Sequence, residues 1–192
     1  MVKYLEEEKT YVVPLVAPQW FKDPHEEKFL WTSSLYEDEN LLISPAQKPV
    51  EFLNRNSLVG KKTSNVIGHR NAMVEDLITH KQVQRIEAGS YENILKMLAS
   101  ERIDFAIFGR MLYGSLIGEL GLQKQLYVSA RPIEKFSRKV LINPKKRTDL
   151  QKWLEKAVLD LRGSKEWKRM LSFYLEVKTQ RNFSSGLLVC SY

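Results

Sequence analysis

At 192 residues the chain is long enough to bury a real core, as one domain or as two small lobes, and 43% hydrophobic with 28% charged residues fits a globular protein. The net charge of +7 admits an anionic ligand, nucleic acid or a membrane surface, although a solvated basic face is its commoner meaning. The single cysteine, Cys190, excludes an internal disulfide and a cysteine-based metal cluster.

Residues 1–8 read as the tail of a helix with Tyr4 and Leu5 facing inward. Their acidic run stands where an export signal needs an apolar core, so the chain as written carries no such signal. No run of eighteen apolar residues follows to cross a membrane. Tyr11–Val16 is β-branched and bounded by prolines, a strand pattern, and the prolines of residues 17–25 mark a loop. Residues 40–44 (NLLIS) form the next strand, and residues 45–57 a linker-like loop. Residues 62–67 predict a short polar strand that stops at Gly68-His69-Arg70. Met73, Val74, Leu77 and Ile78 then share one helical face. Residues 83–87 are a further strand, and Ser90 caps a helix carrying Tyr91, Ile94, Leu95, Leu98 and Ala99 at helical spacing. Residues 105–108 (FAIF) make an apolar run short enough for a buried parallel strand. Residues 111–122 keep helical spacing weakened by three glycines, and residues 138–143 (RKVLIN) are a strand. Thr148 opens the best helix, with Gln151 completing a capping-box pattern and Leu150, Trp153, Leu154, Ala157, Val158 and Leu161 as its inward face. Ser164 caps a second helix with Trp167, Met170, Leu171 and Tyr174. Residues 183–192 form a tail with an apolar patch.

The alternation of strand and helix over residues 58–110 argues for an α/β unit, whose ligands sit beyond the carboxyl ends of its strands. Those ends are Gly68-His69-Arg70 and Gly109-Arg110. A helix start offers unpaired N–H groups and partial positive charge, and Arg70 and Arg110 add guanidinium groups, so an anion suits both places. Paired acid and base groups, a serine elbow and a phosphate loop are all missing, so no catalytic residue is assigned and no enzyme is expected. The histidines lack metal-ligand spacing, so no metal and no cofactor is expected. Lys135, Arg138, Lys139, Lys145, Lys146 and Arg147 form a basic run without interleaved aromatics, which reads as a solvated face and not as a nucleic-acid site.

The sequence L-x-G-K at Leu58–Lys61, a strand, a glycine turn, then S-Y-E-x-x-L-x-x-L-x-x-x-R-I-D-x-A-I from Ser90 to Ile107 resembles the second lobe of type 2 periplasmic solute-binding proteins. The nearest group is the extracellular solute-binding family 3, which serves amino-acid uptake. The resemblance implies an α/β fold of the periplasmic-binding-protein-like II class, two lobes with a cleft, of which the first is incomplete. Residues 1–39 and 143–192 would then form part of lobe 1, and residues 40–142 lobe 2 with the hinge crossings. Residues 40–44 and 138–143 are the expected crossings. The family's T-x-x-E-R and F-S-x-P-Y patterns place Trp31 and Thr32 at F-S, with His25 in place of the arginine that clamps a ligand carboxylate. Gly109 takes the place of the aspartate that holds a ligand ammonium. The expected ligand-binding residues are therefore Trp20, His25, His69, Arg70, Gly109 and Arg110, around a small and anionic solute. A sensing or effector domain, or a degenerate interaction protein, are other roles of the same fold. The resemblance also implies a membrane transporter as partner and a periplasmic location. Tyr11–Val16 and residues 138–143 are expected to be left with open sheet edges, and the last two helices with uncovered apolar faces. A homodimer is one way of covering them.

Overall fold

The computed structural model describes residues 10–143 and 147–175; the expectations for residues 1–8 and 183–192 lie outside the described residues. Its strands are β1 (Tyr11–Val16), β2 (Leu30–Trp31), β3 (Tyr36–Pro45), β4 (Lys62–Val66), β5 (Gln84–Ala88), β6 (Ala106–Gly109), β7 (Leu126–Val128) and β8 (Glu134–Asn143). Its helices are α1 (Ala72–Thr79), α2 (Tyr91–Ala99), α3 (Arg110–Leu120), α4 (Thr148–Gly163) and α5 (Lys165–Leu175). The fold is mixed α/β, as the alternation predicts.

Local chemistry sets the ends of the central elements. Asn71 accepts from the Met73 amide and Ser90 from the Asn93 amide, so α1 and α2 start at side-chain caps. Gly121 closes α3 in the left-handed region at φ 63°, where a side chain would be strained. The three glycines therefore do not prevent α3; the last of them terminates it.

β4 and β5 run parallel, and a parallel bridge from Thr63 to Phe105 sets the start of β6 on the other side of β4. The chain thus leaves β4 through α1 to one side and returns through α2 to the opposite side. The strand order reverses between β4 and β6, which is where doubly wound sheets open a crevice. Side chains alternate across this layer with the period of a strand. Leu41, Ile43, Ala106 and Phe108 join Ile94, Leu95 and Leu98 of α2 and Tyr113 and Ile117 of α3. Leu42 and Phe105 join Leu58, Val74 and Leu77 on the opposite face. Each fully buried leucine of α2 contributes about 1.5–3 kcal/mol relative to exposure.

β3 and β8, ten residues each, hold the molecule together. They pair antiparallel from Tyr36 opposite Arg138 to Asn40 opposite Glu134. Beyond that span β3 continues to pair with β6 and β7, while β8 continues between β1 and β2. The strand expected at residues 138–143 is therefore paired on both sides and has no open edge there, because the two-residue β2 covers what the sequence pattern left bare. β1 carries an irregularity between Val13 and Val16, next to Pro14 and with Leu15 at φ 59°.

Among the described residues Trp153, Leu161, Met170 and Phe173 stay exposed, as expected for incompletely covered apolar faces, but the inward face and the cap of α4 depart from expectation. Only Val158 of α4 is buried, and Trp153 is 66% exposed, so the face proposed for this helix is only partly inward. Leu154 packs with Leu35, Tyr36, Val140 and the α5 residues Trp167, Leu171 and Leu175. The expected capping box is also not formed: Gln151 donates to the Trp31 carbonyl at 2.7 Å, and Thr148 makes no cap. Ser164 does cap α5, accepting from the Trp167 amide.

Candidate functional site

The carboxyl ends of β4, β5 and β6 lie side by side because the three strands are parallel. The turn after β4 places His69 against Tyr91, the first residue of α2, with Nδ1 2.7 Å from the phenol oxygen. Burial pushes the Tyr91 phenol up, so it stays protonated near neutral pH and can donate to or accept from the ring according to the tautomer. With Tyr91 donating, the proton of a neutral His69 ring sits on Nε2. Tyr91 in turn packs on Phe108 of β6, whose next residues are Gly109 and Arg110. The rim at this strand end thus has His69 on Tyr91 and Tyr91 on Phe108, directly before Gly109 and Arg110 in the chain.

The two arginines there already have partners. Arg70, exposed in the turn, pairs with Glu75 of α1 at 2.9 Å, and Glu75 also accepts from Arg85 at 2.7 Å. Arg110 donates from Nε to Glu39 at 2.6 Å. Gly109 is the N-cap of α3 and offers no side-chain cap. A Cβ at Gly109 would lie 3.7 Å from Arg138 Nη2 and 3.8 Å from Asp38 Oδ2. The strand end that lacks its own carboxylate therefore has Asp38, from β3, beside it.

Asp38 is buried and tied to Arg138, whose Nε and Nη2 both donate to Oδ2, at 3.0 and 2.8 Å. Arg138 also lies over the ring of Trp20, 4.3 Å from its centre. Trp20, 45% exposed, thus faces a cation from its own chain. His25 sits exposed in a turn after Asp23, and Trp31 is buried in the core. The basic run is only partly a solvated face: Arg138 is partnered by Asp38, and Lys139 by Glu26.

Asp23 organises the loop that carries Trp20 and His25. Its carboxylate accepts from the amides of Glu27, Lys28 and Phe29 and from the Trp31 indole. Burial alone would raise its pKa, but these hydrogen bonds outweigh it and hold the group below the usual carboxylate range. Glu51 does the same for the loop after β7, accepting from Tyr127, Ser129 and the amides of Ala130 and Arg131. Again burial opposes and the hydrogen bonds prevail, so its pKa is lowered. Sequence reasoning missed Asp23, Asp38, Glu39, Tyr91 and Arg138 as site-forming residues. Tyr91 alone carried a readable signal, as the first helical residue after a capped strand end.

A groove of about 700 Å³ runs along α5 and is lined by Lys165, Glu166, Arg169, Met170, Phe173 and Tyr174, none of them a rim residue.

No family model matches the sequence, and no curated protein matches it. Solved structures do match. An ancestral arginine-binding protein bound to arginine superposes with a TM-score of 0.65 at 12% identity, covering 90% of this chain and 75% of its own. The fold is that of type 2 solute-binding proteins. The amino acid ABC transporter substrate-binding protein AbpA from Streptococcus pneumoniae, bound to L-arginine, gives 0.59 at 19% identity over 83% of this chain. The GluR0 ligand-binding core from Nostoc punctiforme, in complex with L-glutamate, gives 0.57 at 13% identity over 78% of this chain. The chain spans 66% of the length of each of the last two. At such identities the likeness is one of fold.

Proposed function

We propose that this chain is a solute-binding protein that captures a small, carboxylate-bearing solute between two lobes and delivers it to a membrane transporter. In this reading the described residues before residue 40 and after residue 142 belong to one lobe and residues 40–142 to the other, with the paired part of β3 and β8 as the hinge. The observation that supports the reading is the run of contacts from His69 to Tyr91 and from Tyr91 to Phe108, the residue before Gly109 and Arg110, at the strand ends where the order reverses between β4 and β6. The starts of α1 and α3 and the Arg70 and Arg110 side chains suit the solute's carboxylate; Trp20 and His25 belong to the facing lip. An exclusive preference for anions has less support than the sequence suggests, because Glu75 and Glu39 already neutralise the two arginines. Structures of this fold are described with bound arginine and with bound glutamate, so binding, not catalysis, is the role that the fold favours. The matching location is the periplasm.

The same ion pairs support a second reading, a degenerate cleft used for interaction; the likeness to a ligand-binding core keeps sensing beside transport. A thermal-shift screen of phosphates, dicarboxylates and amino acids, followed by calorimetric titration, separates these readings. Capture predicts that a carboxylate-bearing compound raises the melting point in the wild type and loses most of that effect in His69→Ala and Tyr91→Phe. A panel without any shift in a cooperatively folded protein would leave the degenerate reading standing.

A further inference from the structure

Arg138 is held as though it were a ligand. Its guanidinium carbon lies 4.3 Å from the centre of the Trp20 ring and 4.9 Å from that of Phe136. The two rings meet at 59° with centroids 5.4 Å apart, so they form a corner and not a flat stack. Each guanidinium nitrogen has an acceptor. Nε and Nη2 donate to Asp38, and Nη1 donates to the Leu15 carbonyl at 3.0 Å. These acceptors are fixed by other means. Asp38 is 3% exposed and its second oxygen accepts from the Glu39 amide at 2.9 Å. Leu15 adopts a left-handed φ of 59°, which a branched side chain rarely takes, in the irregular part of β1. A buried carboxylate, an aromatic corner and a turned-in carbonyl together recognise charge, planar shape and edge donors, the three properties that distinguish a guanidinium from an ammonium.

The geometry points to a guanidinium-binding pocket, built by Trp20, Phe136, Asp38 and the Leu15 carbonyl, that the chain fills with its own Arg138. The pocket borders Gly109, so its occupant also screens Asp38 from anything at the rim. Because Arg138 is tethered, it competes with free compounds at a high effective concentration. Arginine-like solutes are thereby kept out of this corner, whatever the rim itself captures.

The test uses the full chain and methylguanidinium chloride, with methylammonium chloride at equal concentration as control. Arg138→Ala should gain a rise in melting temperature that grows with the logarithm of the methylguanidinium concentration, roughly 3–5 °C at ten times its Kd. The wild type should gain none, and the double variant Arg138→Ala, Asp38→Asn should lose the response. A folded Arg138→Ala that ignores methylguanidinium, or a wild type that responds equally, overturns the proposal. Should Arg138→Ala fail to fold, the wild type decides alone. Its Arg138 Nε–H resonance should lie away from the free-arginine position and exchange slowly, and it should move downfield in Trp20→Ala as one ring's shielding is lost. An Arg138 signal at the free-arginine position overturns the proposal as well.

Discussion

Asp38 of β3 and Arg138 of β8 are diagonal neighbours across the antiparallel pair, since Asp38 stands opposite Phe136 and Arg138 opposite Tyr36. The diagonal brings two long-range charges onto one face with the carboxylate fully buried. Removing one partner leaves the other without compensation. Asp38→Ala should therefore cost about 3–5 kcal/mol in urea unfolding. The double variant Asp38→Ala, Arg138→Ala should cost clearly less than the sum of the single ones, which a double-mutant cycle would read directly.

Acid should weaken the two carboxylate-centred loops together. The Asp23 and Glu51 pKa values are lowered in the fold, so the stability they contribute is complete above their unfolded values and is lost as pH falls through their folded ones. Asp23→Asn and Glu51→Gln should each flatten the dependence of unfolding free energy on pH in that acidic range, while costing stability near pH 7. Denaturant curves collected from neutral pH downward check both effects.

The phenol of Tyr127, hydrogen-bonded to Glu51, is held up to about 12 by that bond first and by burial second. Spectrophotometric titration should show one late-ionising tyrosine fewer in Tyr127→Phe. In Glu51→Gln the Tyr127 transition should move to lower pH.

Glu75 serves two arginines of unequal burial. Arg70 is 62% exposed and its pair with Glu75 is screened by water, so Arg70→Ala should change stability by less than about 1 kcal/mol. Arg85 is 15% exposed, and Glu75→Ala leaves it unpaired, so that variant should be the more destabilised of the two. Chemical unfolding of both variants under one set of conditions tests the order.

Gly109→Asp should fold, because its backbone lies in the ordinary extended region at φ −60° and its nearest neighbours would be at van der Waals distance. An aspartate there also caps α3, where Gly differs from Asp by only a few tenths of a kcal/mol. The new carboxylate would stand at the rim beside Arg138 and compete with Asp38 for it. Calorimetric titration should then show tighter binding of ammonium-bearing solutes relative to simple carboxylates.

Much of the central unit was legible because its signals are local. Ser90 announces a helix, and Leu41 to Ile43 with Phe105 to Phe108 alternate across a buried layer. β2 and β7 were not legible; two and three residues are too short to show a period, and they form because longer strands lie beside them. The strand ends were located correctly, but not the charges that meet there. Asp38 and Glu39 carry no motif, and Arg138 reads as part of a basic run, until strand pairing places Asp38 and Arg138 together. Likewise Asp23 looks like a loop residue between prolines, although it is the hydrogen-bond centre of that loop.

The register that sets Tyr11 opposite Asn143 also dictates when parts of this protein acquire structure during synthesis. The β4–α1–β5–α2–β6 unit is contiguous in sequence and can begin to assemble as soon as its own residues leave the ribosome. β1 and β2 have no such option; their partner strand β8 emerges only after the whole central unit. The early strands of the nascent chain therefore wait as extended, apolar segments while the central unit is already packing. Over that interval they are open to capture by chaperones.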